Sequence, residues 1–190
     1  MIEPMKGRLR GAAARPIFDS MMGEVVGIPI GDSADGNLAL LLHTKLVEQS
    51  ATEAVAAVAL SPVTDLAMTG ESGESRAAAD PYFVRAQVEE LISAYLAGHN
   101  PNDPTASPLY GNLASLPPIR VYVGDAEVLL DDAKRYVASA VAAGVDARID
   151  VWEGMPHGFI GGVGKLDAAN QALTAIGAFL SQQFENTLKA

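Results

Sequence analysis

The chain has 190 residues, 49% of them hydrophobic and 19% charged, which supports one domain with its own core and excludes a disordered chain. A net charge of −10 argues against nucleic acid and anionic membrane surfaces, since both select basic patches; a neutral or cationic small molecule fits better. With no cysteine present, disulfides, a thiol nucleophile and a thiolate zinc site are excluded.

Residues 1–23 form an N-terminal segment to which the sequence assigns no element. They carry Lys6, Arg8, Arg10 and Arg15 but no apolar run of signal-peptide length, and no later run reaches membrane-spanning length, so a cytoplasmic protein is expected. From residue 24 to residue 190 one domain is expected. Its strands are read at Glu24 to Ile30, Ala54 to Leu60, Ile119 to Val123 and Ala147 to Trp152, each rich in small apolar and β-branched residues. Its helices are read at Asp35 to Gln49, Val84 to Ala97, Val128 to Ala143 and Leu166 to Gln183, where apolar residues recur at three- and four-residue spacing. Strands alternating with helices predict an α/β fold, about four mainly parallel strands flanked by helices. Two long irregular stretches, Ser61 to Tyr82 and Gly98 to Pro118, read as functional loops or as the mark of a missing neighbour.

The first strand runs into Gly31-Asp32-Ser33-Ala34-Asp35-Gly36 and then directly into a helix. This is the setting of a nucleophile elbow, in which a sharp strand-to-helix turn lifts a serine out of the sheet. The GxSxG pattern asks for glycine two places after the serine, where backbone meets backbone, and this chain has Asp35 there. A serine nucleophile needs a base, an acid that orients the base, and backbone donors for the oxyanion. Asp125 and Glu127 follow the third strand and His157 follows the fourth, in Met155-Pro156-His157-Gly158-Phe159, so Ser33, an acid and a histidine occur in the chain order of α/β-hydrolase triads. His43 sits on a predicted helix, as a packing or surface residue, and His99 in a polar loop; histidines so scattered predict no metal site. Gly161-Gly162-Val163-Gly164-Lys165 misses the spacing of a phosphate loop, and Leu166 stands where that motif needs serine or threonine. No cofactor is expected.

Taken together, the elbow with Gly36-Asn37-Leu38-Ala39, Leu60-Ser61-Pro62-Val63-Thr64-Asp65-Leu66, Asp103-Pro104-Thr105-Ala106-Ser107-Pro108-Leu109-Tyr110, Glu127-Val128-Leu129-Leu130-Asp131-Asp132 and Pro156-His157-Gly158-Phe159 resemble the bacterial esterases of the hormone-sensitive-lipase family, over roughly residues 24 to 183. The resemblance implies a truncated α/β-hydrolase fold that cleaves small carboxylic esters through an acyl-enzyme on Ser33. It implies His157 as general base, Glu127 as the orienting acid with Asp125 as the second choice, and the N–H of Ala34 as an oxyanion donor. Members of the family carry further strands and an HGGG-type oxyanion loop ahead of the elbow; this sequence contains no HGGG.

Two readings follow. The first is a minimal serine hydrolase of low efficiency and broad specificity, with Asp35 close to the developing oxyanion. The second is a noncatalytic α/β module, a remnant used for binding or oligomerisation, or a scaffold for a different promiscuous activity. In either, the first strand is an open sheet edge, and self-association into a homo-oligomer is expected, with these edges paired or the exposed face covered by the N-terminal segment.

Overall fold

The computed structural model describes residues 27–49 and 54–188; the N-terminal segment 1–23 and the start of the first predicted strand lie outside them. Four strands form one parallel sheet in sequence order: β1 (Ile30–Asp32), β2 (Ala57–Leu60), β3 (Ile119–Gly124) and β4 (Ala147–Trp152). Asp32 lies opposite Leu60, Leu60 opposite Tyr122, and Gly124 opposite Trp152. The carboxyl ends of all four strands therefore reach the same edge of the sheet, where open parallel α/β sheets bind their ligands. The α/β class with four parallel strands is as the sequence predicts.

The first strand is the main correction. Its ladder covers Ile30–Asp32, later than the expected Glu24 to Ile30, and Gly27 joins Ala54 only through an isolated bridge. Pro29, with no N–H, stands just ahead of β1, and its carbonyl still accepts from Val58 N at 3.0 Å. Among the described residues β1 pairs with β2 alone, and Ile30 is half exposed.

Helices α1 (Ala34–Gln49), α3 (Arg85–Leu96), α4 (Leu130–Ala142) and α5 (Asp167–Thr187) occupy the predicted helical segments, and a short α2 (Ser72–Ser75) was not foreseen. The two-residue alternation of the strands divides the core. Ala57, Ala59, Ile119, Val121 and Val123 face Leu40 of α1 and Ala133, Tyr136 and Val137 of α4. Val58 and Tyr122 point the other way, onto Ala172, Ile176 and Phe179 of α5. A third cluster lies over the carboxyl edge of the sheet, where Val63, Leu66 and Met68 of the loop after β2 pack on Val88, Ile92 and Leu96 of α3 and on Val128 and Leu129.

That loop is held by buried polar side chains, which explains several of the motifs. Asp132 Oδ2 accepts from Thr64 N at 2.8 Å and Asp65 N at 2.9 Å, while Thr64 Oγ1 donates to the Asp132 carbonyl. Asp65 accepts from Arg135 at 2.8 Å and from the Tyr110 hydroxyl at 2.9 Å. Ser107 Oγ accepts from Leu66 N and donates to the Pro101 carbonyl. Buried backbone donors must find acceptors, and in a loop without ladder partners side chains supply them. No helix among the described residues is long and apolar enough to cross a membrane.

Candidate active site

Ser33 occupies the one-residue turn between β1 and α1, with φ at 57°. This is the left-handed region, which costs a non-glycine residue about 1–3 kcal/mol and persists only where the surroundings enforce it. Here Ser33 N donates to the Leu60 carbonyl at 2.8 Å, and its own carbonyl accepts from Asn37 N at 3.1 Å and Val63 N at 3.3 Å. Two glycines make the turn possible. A Cβ on Gly31 would fall 2.0 Å from the Asp35 carbonyl oxygen, and one on Gly36 would fall 3.1 Å from Pro62 Cβ. The backbone crowding therefore sits at Gly31 and Gly36, and Asp35, the second residue of α1, is exposed. The expected need for glycine at position 35 is corrected on that ground. Ala34 opens α1, so its N–H belongs to the first turn, where donors have no intrahelical acceptor.

At the end of β3, Glu127 is completely buried. Its Oε1 accepts from Gly124 N at 2.6 Å and Ser61 Oγ at 2.8 Å, and its Oε2 lies 2.8 Å from His157 Nδ1. Asp125 faces elsewhere, its Oδ1 accepting from Gly154 N at 2.7 Å. The carboxylate beside His157 is thus that of Glu127. Gly124 is required, because a Cβ there would meet the Met155 carbonyl oxygen at 2.0 Å.

His157 follows β4 and precedes Gly158, whose φ of 69° turns the chain sharply. With Nδ1–H donating to Glu127, Nε2 keeps its lone pair for a proton. Burial disfavours the imidazolium, but the Glu127 hydrogen bond and charge, with the charges of Asp32 and Asp80 behind them, hold the His157 pKa above its ordinary value. Among the described residues no hydrogen bond joins Ser33 Oγ to His157. Ser33 and His157 stand at the carboxyl ends of β1 and β4, with Ser61 and Glu127 at those of β2 and β3 between them.

Ser33 and Ala34 also border a cavity of about 260 Å³ that continues between the start of α1 and α3, walled by Val63, Leu66, Val88 and Ile92. The cavity is apolar, of the kind that takes a hydrocarbon group. Sequence reasoning missed Ser61, Asp80 and Phe83. Ser61 stood in a quoted motif without an assigned role, and nothing local marked the other two. His43 is buried on α1, its Nε2 3.3 Å from the Pro117 carbonyl; among the described residues no group of histidine and acidic side chains could hold a metal.

A strained serine between a parallel strand and a helix, followed by a buried carboxylate on a histidine two strands further on, defines a class of protein. The chain belongs to the alpha/beta hydrolase fold family, whose pattern matches residues 26–161. It is 36% identical over 150 residues to an acetyl-hydrolase of Streptomyces hygroscopicus, which covers 79% of this chain and 50% of that protein. It is 35% identical to an esterase of Acinetobacter venetianus over 78% of this chain and 50% of that one. A crystal structure of an esterase from the bacterial hormone-sensitive lipase family is similar at 42% identity and a TM-score of 0.79, over 81% of this chain and 52% of that one. The chain therefore spans about half the length of these relatives.

Proposed function

We propose that this chain carries the serine, histidine and acid of an ester hydrolase. The buried Glu127 carboxylate on His157 Nδ1 at 2.8 Å, at the same sheet edge as the left-handed Ser33, is the observation that carries this reading. Ser33 Oγ attacks the ester carbonyl carbon and gives its proton to His157 Nε2, while Glu127 holds the ring in the tautomer that can accept it. The oxyanion that forms takes the N–H of Ala34 at the start of α1. Collapse breaks the ester bond, and the leaving alkoxide departs as an alcohol with the proton from His157. Water, activated by the same nitrogen, then attacks the acyl-enzyme and releases the acid. The substrate class is a small carboxylic ester, with an apolar group placed in the cavity of about 260 Å³ beside Ser33.

Among the described residues the Ala34 N–H is the donor assigned to the oxyanion, and one donor makes a thin oxyanion hole. Loss of a single such donor costs about 2.7–4 kcal/mol of transition-state stabilisation, so this chain by itself is expected to turn over slowly, roughly 100- to 1,000-fold below a site with a full set. The exposed carboxylate of Asp35 adds to the burden on the oxyanion, although near a helix N-terminus it is itself favoured by about 0.3–1 kcal/mol. The test is hydrolysis of p-nitrophenyl acetate and butyrate by the unaltered chain and by Ser33→Ala at equal concentration. Turnover that disappears in the variant supports the reading, and equal rates in both defeat it.

A further inference from the structure

Asp80 is a buried carboxylate, 8% exposed, in the loop ahead of α3. It belongs to none of the motifs, and among the described residues it forms no ion pair with lysine or arginine. Its three hydrogen bonds all come from backbone amides. Oδ1 accepts from Tyr82 N at 2.9 Å and Phe83 N at 3.0 Å, and Oδ2 accepts from Val128 N at 2.9 Å. A carboxylate withdrawn from water needs such donors to replace its lost hydration.

What those amides belong to gives the arrangement its meaning. Val128 directly follows Glu127, so one oxygen of Asp80 fixes the backbone beside the acid. Phe83 lies against the imidazole of His157, edge to face, with ring centroids 5.1 Å apart at 87°. The other oxygen therefore fixes the ring that bounds His157. We propose that Asp80 is a positioning residue for the Glu127–His157 pair, clamping the backbone of the acid and the aromatic wall of the base with one carboxylate. The proposal rests on the hydrolase reading for its catalytic consequence, though the clamp can be measured without turnover.

Asp80 also acts through its charge. The charged groups that act on His157 are Glu127 after β3, Asp32 at the end of β1 and Asp80 ahead of α3, and all three favour the imidazolium. Removing the Asp80 charge lowers the His157 midpoint whether or not Asp80 positions the pair; loss of the clamp also moves Phe83 from the imidazole and changes the ring-current shift of the His157 protons at pH values far from the midpoint.

The experiment uses the full chain and two neutral variants, Asp80→Asn and Asp80→Ser, checked for folding by circular dichroism. Serine retains a short acceptor for the Tyr82 and Phe83 turn, so it serves where asparagine, which turns an amide group toward Val128 N, prevents folding. The pH titration of His157 is followed by proton–carbon NMR of the imidazole, assigned by its loss in His157→Gln. The expected result is a His157 midpoint displaced to lower pH in the folded variants. The acid limb of kcat/KM for p-nitrophenyl butyrate should move the same way, and kcat should fall by about 100-fold as the pair loses its alignment. A folded variant whose His157 ring protons keep their limiting shifts, with kcat unchanged, overturns the proposal. If Ser33→Ala matches the unaltered chain while the limiting shifts of the His157 protons still change in the Asp80 variants, the hydrolase reading fails and the clamp on His157 stands.

Discussion

Glu127 is the residue on which the site turns. It is wholly buried and accepts hydrogen bonds on both oxygens, from Ser61 and Gly124 on one and from His157 on the other. Replacing it by glutamine keeps the volume but presents an amide to the imidazole. If that NH2 faces His157, Nδ1 becomes the acceptor and Nε2 carries the hydrogen, which is the wrong tautomer for a base. The Glu127→Gln variant is therefore expected to fold and to lose about 10⁴-fold in kcat, the loss typical when a triad acid becomes an amide; steady-state hydrolysis of p-nitrophenyl butyrate measures it. Substantial retention of kcat would show that Glu127 serves only the fold. The role of Asp125 was left open by the sequence because it sits two residues from Glu127 on the same segment. Geometry separates them, since the short Asp125 side chain is taken by the Gly154 amide while the longer one reaches inward.

At the scale of elements, periodicity in the sequence was a good guide to helices and a weaker one to where strands begin. Helix α3 at Arg85–Leu96 and α4 at Leu130–Ala142 lie within two residues of their expected bounds, because Val88, Ile92 and Leu96 or Ala133, Tyr136 and Val137 mark a buried face. Strand β1 moved toward its carboxyl end. Among the described residues Gly27 already bridges Ala54, and the regular ladder with β2 runs over Ile30–Asp32, past Pro29, which has no N–H to give. The long loop after β2 showed no periodicity, since Asp132, far along the chain, orders it through the amides of Thr64 and Asp65, and Asp65 in turn takes the amide of Thr69. The same limit hid Asp80, whose partner Val128 is 48 residues away. The turn at Ser33 and the contact of Glu127 with His157 were legible because each of these residues stands in a local motif tied to a strand end. Ser61 takes φ of 44° after β2, a conformation that no side-chain pattern announces.

Across the whole molecule, buried titratable groups make stability depend on pH. Burial pushes the His43 imidazole down from 6.5 to about 4, with the Pro117 carbonyl opposing the shift only in part. The unfolded chain then binds a proton at higher pH than the folded one. Stability is thus present above pH 6.5 and is lost as pH falls from 6.5 toward 4. The contribution amounts to about 3 kcal/mol at pH 4. Asp132 works in the opposite sense. Burial raises it from 3.8 to about 7 against the amides of Thr64 and Asp65, so its contribution weakens the fold as pH rises between those values. Urea unfolding of the unaltered chain beside His43→Gln at pH 4 and pH 7 isolates the histidine. The unaltered chain should lose about 3 kcal/mol more than the variant between the two pH values, and parallel losses would contradict the assignment.

Glu127 and His157 are expected to make Ser33 a nucleophile despite Asp35 and the single oxyanion donor at Ala34. Incubation with a fluorophosphonate, followed by peptide mass spectrometry of the unaltered chain and of His157→Gln, reads this directly, because the fluorine–phosphorus bond yields only to an activated hydroxyl. A single adduct on Ser33 is expected in the unaltered chain and none on a comparable timescale in His157→Gln. An unlabelled Ser33, or equal labelling with and without the histidine, would contradict it.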